Sequence, residues 1–153
     1  MKITKTSILA ASALAVSVTA GVVWAQDSAD AAMDDRELLT TVSDHWRIHL
    51  LHDMREGLFV QVQEILQANA AGDMASVEAL ATERGKAHFA HMDPDMMAEL
   101  PDGMKGMGKA MHLAFDDVAT AARETGDPAA VSGAVSDLMM ACTACHLTYK
   151  LNP

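Results

Sequence analysis

The chain has 153 residues, half of them apolar and 4% aromatic, which suits one modest core and excludes a second domain. Acidic residues outnumber basic ones 21 to 11, and the resulting charge of −10 repels phosphate, which argues against nucleic acid and anionic lipid as partners. One Tyr, three Phe and two Trp set against 12 Met and much Ala leave little strand-forming material and predict an all-α protein.

Residues 1–25 carry Lys2 and Lys5, then an uncharged apolar run from Ile8 to Trp24, then small residues at Val23 and Ala25. This is the three-part pattern of a secretory signal cleaved after Ala25. The competing reading is a retained anchor, since the run approaches the ~20 residues that span a bilayer. Ser7, Ser12, Ser17, Thr19 and Gly21 dilute the run and favour cleavage. The expected product is a periplasmic protein, not membrane-bound after cleavage, and two charges more negative than −10 once both lysines are gone.

Residues 26–36 are polar, acidic and aperiodic, and read as a flexible lead-in to a domain over 37–153. A first long helix is predicted from about Glu37 to Asn69. At about 100° per residue, Leu39, Trp46, Leu50, Leu51, Met54, Leu58, Val62 and Ile65 fall on one broad face. Gly72 and Asp73 give a stop followed by a cap, and Val77, Leu80, Ala81 and His88 predict a second helix to about Ala90. Two prolines between His91 and Gly103 mark a longer connection, with a short helical turn around Met96 to Glu99. Met104, Met107, Met111, Ala114, Val118 and Ala121 form the stripe of a third helix. Gly126 ends it, Asp127 caps the next, and Pro128 takes that helix's first position, where a missing N–H costs nothing. The fourth helix turns Val131, Val135, Leu138, Cys142, Cys145 and Tyr149 inward. Four amphipathic helices with mostly short connections predict an antiparallel four-helix bundle.

The last helix carries Cys142-Thr143-Ala144-Cys145-His146, and these are the chain's two cysteines. Two thiols three residues apart share a helix face, so each can add to one vinyl group of a haem while the adjacent imidazole reaches the iron. A redox disulfide of the thioredoxin kind competes, but that motif opens a helix after a strand. Half a zinc site also competes, yet it needs two further ligands from scattered histidines. Export to a compartment where c-type haem is attached favours the haem.

A bundle of this size with C-x-x-C-H near its C-terminus resembles the cytochrome c prime family, the class II c-type cytochromes, including their low-spin relatives. The resemblance implies one covalent haem c held by Cys142 and Cys145, with His146 as the proximal iron ligand. Tyr149 and Lys150 follow the motif as an aromatic and a basic residue do in the family, while Thr143 departs from the Lys common there. In the family a first-helix residue covers the distal side, either a ligating Met or a noncoordinating apolar residue, and an Arg about one turn earlier lies near a propionate. That pattern can be laid on Arg55 and Phe59 or on Arg47 and Leu51, and the two registers conflict. The helical face itself favours Met54 and Leu58 over Phe59 at the centre. Met54 is thus the candidate distal iron ligand and Arg55 the candidate propionate contact, with Leu58 or Phe59 over an open iron as the alternative.

His45, His49, His52, His88, His91 and His112 raise a second, copper or zinc site, against which stands the commoner case of histidines on a solvated face. The Met104, Met107 and Met111 stripe reads as core packing. The sequence holds no nucleophile with a base, no phosphate loop and no paired acid and base, so an enzyme is not expected. The expected function is a periplasmic monohaem cytochrome passing single electrons to basic partner proteins. A five-coordinate haem protein binding NO or CO is the alternative, and a haem-free metal-binding bundle is the second. Pairing of two bundles as a homodimer, as in many relatives, stays open.

Overall fold

The computed structural model describes residues 34–152. The expected signal segment and all but the last three residues of the lead-in lie outside the described residues. Strand β1 is Glu37–Leu38, and it is followed by helix α1 at Asp44–His52, a π-helical turn at Asp53–Leu58 and α2 at Phe59–Ala70. Then come α3 (Met74–Glu83), α4 (Lys86–Ala90), α5 (Pro94–Glu99), α6 (Asp102–Thr125), α7 (Pro128–Thr148) and β2 at Tyr149–Lys150. The described residues are all-α apart from the two-residue pairing of β1 with β2.

Helix α6 packs along α7 and α3, and α2 packs against α3 and α7. Ile65, Val77, Phe115, Val118, Val131 and Leu138 are the largest fully buried side chains and come from all four helices. Interior chain punctuation follows the sequence reading. Gly72 adopts φ +72° after α2, and the Asp73 side chain accepts from Ser76 N at 3.1 Å to cap α3. Gly126 adopts φ +62° after α6, and Asp127 accepts from Ala129 N at 2.9 Å with Pro128 in the first position of α7. Helix α7 is long and apolar enough to cross a membrane by length and composition. Its Val131, Val135 and Leu138 are instead packed in the common core.

Three departures from the sequence reading bear on the site. The first helix does not begin at Glu37, because Glu37 and Leu38 pair in parallel with Tyr149 and Lys150, and Leu39 N donates to Lys150 O at 2.9 Å. Leu39 and Val42 then enter a second core with Leu50, Met96, Leu100 and Met104, against which Met54, Cys145 and Tyr149 pack. Consequently Tyr149 lies in β2, beyond the helix that was expected to carry it, and Gly103 has room for its hydroxyl because it lacks a Cβ. The second helix breaks at Arg84 and Gly85 before resuming as α4. Gly85 makes way for the Asp116 carboxylate, which accepts from Lys86 N at 3.0 Å and so caps α4 from another helix. Finally, the first helix is interrupted by the π turn, which shifts the angular register assumed for Met54, Leu58 and Phe59.

Candidate functional site

A cavity of about 490 Å³ opens among α1, the π turn, the chain from Phe89 to Leu100, α6 and α7. That volume falls within the range of roughly 300–1,000 Å³ usual for small-molecule and cofactor sites. Cys142, Cys145 and His146 line it from α7, their spacing of three and four residues holding them on one helix face. Met54, Leu58 and Phe59 line it from the first helical stretch. Residues proposed from sequence for the two sides of one site therefore share one cavity. The remaining walls are mostly hydrocarbon and thioether, with Met92, Met97, Met104, Met107 and Met111 among them.

Burial pushes both thiols up from their ordinary value, and for Cys145 the neighbouring Cys142 adds to the rise. Both cysteines are free. A dithiol redox motif depends on the opposite shift, a thiolate favoured by a helix N-terminus or nearby cation. These thiols instead sit toward the C-terminal end of α7. Among the described residues no group of three or more His, Cys, Asp or Glu side chains is placed to hold a metal ion.

Arg55 does not line the cavity. It is exposed, and its Nε donates to Leu51 O at 3.2 Å, within its own helix. The cation that does line the cavity is Lys105, whose Nζ is 2.8 Å from Asp102 Oδ1. Phe59 lines the rim while remaining 71% exposed. Close by, Arg36 Nη1 donates to His146 O at 3.4 Å, and Tyr149 N donates to Cys145 O, so the last carbonyls of the motif helix are partnered.

Sequence reasoning missed a polar cluster at the cavity wall. Arg84, with a side chain 14% exposed, pairs its Nη1 with Asp53 Oδ1 at 2.9 Å. Its backbone carbonyl meets His112 Nδ1 at 2.5 Å. Asp53 and His112 both line the cavity. The His112 ring is buried, stacks on His88 with centroids 5.3 Å apart, and lies 5.6 Å from Phe89. Desolvation chiefly holds its pKa below the ordinary 6.5, with the nearby His88 and Arg84 charges adding to the fall. The Arg84 carbonyl hydrogen bond and Asp53 act in the opposite direction. In the sequence His112 stood only among six histidines weighed for a second copper or zinc site, and no local pattern placed it at this wall.

Comparison of the chain with protein-family models, with curated proteins and with solved structures gives no match.

Proposed function

We propose that the protein is a periplasmic four-helix-bundle cytochrome of the class II c type, a single-electron carrier with one covalently attached haem. The observation that carries this reading is the meeting, in one apolar cavity, of Cys142, Cys145 and His146 with Met54 from the first helical stretch. The donor set fits the group. Two thiols on one helix face match two vinyl carbons, and the next residue offers an imidazole. The mostly apolar walls suit a flat, largely hydrophobic macrocycle, and Lys105 at the wall suits an anionic propionate.

When bound, the haem supplies the iron that changes oxidation state by one electron. The chain's own residues do the rest. Cys142 and Cys145 would tether it and His146 would ligate its iron, while the methionine and leucine walls would exclude water and keep the local dielectric low. Arg36 and Tyr149 partner the carbonyls of His146 and Cys145, and so hold the end of the motif helix in place. Met54, which the helical face singles out rather than the family's register, would be the distal ligand from the facing wall. The net negative charge favours basic partners and fast, salt-sensitive encounters.

Leu58 and Phe59 line the same wall, which supports a second reading, an open iron that binds NO or CO. The spectrum separates the two, since a high-spin ferric form that binds CO on reduction belongs to the second. The attachment itself is tested by Cys142→Ala, Cys145→Ala and His146→Ala in a host competent for haem attachment. Each Cys variant is expected to lose stable incorporation and the His variant to fail maturation. Unaltered haem content in all three would refute the reading.

A further inference from the structure

His112 is 4% exposed, yet it lines the cavity. A carbonyl only accepts hydrogen bonds, so the contact between Nδ1 and Arg84 O puts the ring's proton on Nδ1. This leaves Nε2 with an unprotonated lone pair. Among the described residues the polar side-chain atoms that are both sealed from solvent-sized space and unpartnered are Asn69 Oδ1 and Arg84 Nε. Nε2 of His112 is neither of these, nor has it a hydrogen bond to protein, so it keeps accessible surface in a side chain that lines the cavity. An Nδ1–H held by a backbone carbonyl with a free Nε2 is the arrangement by which proteins prepare imidazole for a metal.

The other non-motif histidines, His45, His49, His52, His88 and His91, do not line the cavity. Arg84 ties His112 to the π turn. Its guanidinium holds Asp53, the residue before Met54, while its carbonyl holds the imidazole. His112 is therefore built into the same network as the wall that offers Met54. The two differ in preparation. The imidazole is fixed by a hydrogen bond and by the rings of His88 and Phe89, whereas a methionine must immobilise three rotatable bonds to ligate.

We propose that His112 Nε2, in place of the Met54 sulfur, is the sixth ligand of the iron held at Cys142, Cys145 and His146, an assignment that rests on the haem reading above. Ligation forms one nitrogen-to-iron bond and moves no proton, because the ring carries its hydrogen on the far nitrogen, against Arg84 O.

The test compares the ferric absorption and paramagnetic resonance spectra of the haem-loaded parent, Met54→Leu and His112→Gln, with circular dichroism as the check on folding. The parent and Met54→Leu are expected to show the same low-spin, bis-imidazole signature, without the sulfur-to-iron charge-transfer band. His112→Gln is expected to lose the low-spin signal, and added imidazole to restore it. Should His112→Gln fail to fold, the parent spectrum still decides. A sulfur-to-iron band that disappears in Met54→Leu, or a high-spin ferric parent at neutral pH, overturns the inference while leaving the haem reading intact. A colourless parent from a competent host overturns both.

Discussion

Gly57→Ala tests the polar cluster behind the cavity wall. A Cβ at this position would lie 2.5 Å from Asp53 Oδ1 and 2.6 Å from Arg84 Nη2, closer than real Cβ atoms approach. One of the two side chains must move, and the 2.9 Å bond between them is lost or distorted. A hydrogen bond to a charged group contributes about 1.5–3 kcal/mol. Arg84 is largely buried, which puts the loss toward the upper part of that range, while the half-exposed Asp53 draws it down. Against this, Gly→Ala within a helix stabilises by about 0.8–1.0 kcal/mol. The expected net effect is a destabilisation of about 0.5–2 kcal/mol, or roughly 3–6 °C in Tm per kcal/mol for a domain of this size. Thermal melts and urea titrations of the parent, Gly57→Ala, Asp53→Ala and the double variant give the cycle. Without the carboxylate Arg84 can swing aside, so Gly57→Ala in the Asp53→Ala background should stabilise by about 1 kcal/mol. Equal stabilisation in both backgrounds would refute the clash and with it the assigned role of Gly57.

Further outcomes follow from the same geometry. Burial of His112 favours its neutral form, so its contribution to stability is complete above pH 6.5 and is lost as pH falls below that value, ceasing to change once the depressed native value is passed. The loss approaches about 1.4 kcal/mol per pH unit, and a His112→Gln variant should lack this component when its denaturation is followed from pH 7 downward. Asn69→Ala removes the bonds from Nδ2 to Pro128 O at 3.2 Å and Ser132 Oγ at 3.0 Å that tie α2 to α7, and should lower the urea midpoint by the equivalent of about 1–3 kcal/mol. Met54→Leu should cost less than about 1.5 kcal/mol in a melt, since the side chains are close in volume. Phe115→Ala, at a side chain 1% exposed that lines the cavity, should cost about 3–5 kcal/mol by denaturant titration.

What could be read in advance was what nearby residues dictate. Asp73, Gly126, Asp127 and Pro128 act through local backbone geometry, so the helix ends they set were legible, whereas the expected stripe of α6 was right only at Met104 and Val118, the buried face running instead through His112, Phe115, Ala119 and Ala122. The spacing of Cys142, Cys145 and His146 is also local, and it marks the end of α7 that lines the cavity. The β1 and β2 pairing was illegible because it joins two short segments more than a hundred residues apart, with no periodicity in either. The break at Gly85 depends on Asp116 arriving from another helix. The π turn defeats an angular wheel that assumes a constant advance, which is why Phe59 reaches the cavity from a position calculated to lie near the edge of the apolar face. Arg55 failed to reach the cavity for the plainest reason: its guanidinium finds Leu51 O one turn back in its own helix. His112 and Arg84 are brought to the wall by tertiary packing that neither residue's neighbours announce.

The proposed function requires a covalent bond between this chain and haem. The most direct measurement is the partition of haem in acid acetone from the purified, exported protein, run beside the Cys142→Ala, Cys145→Ala double variant. Colour that stays with the precipitated parent polypeptide, and is extracted from or absent in the double variant, is the predicted result. Haem that leaves the parent in the acetone phase, or that stays with the double variant, would contradict it.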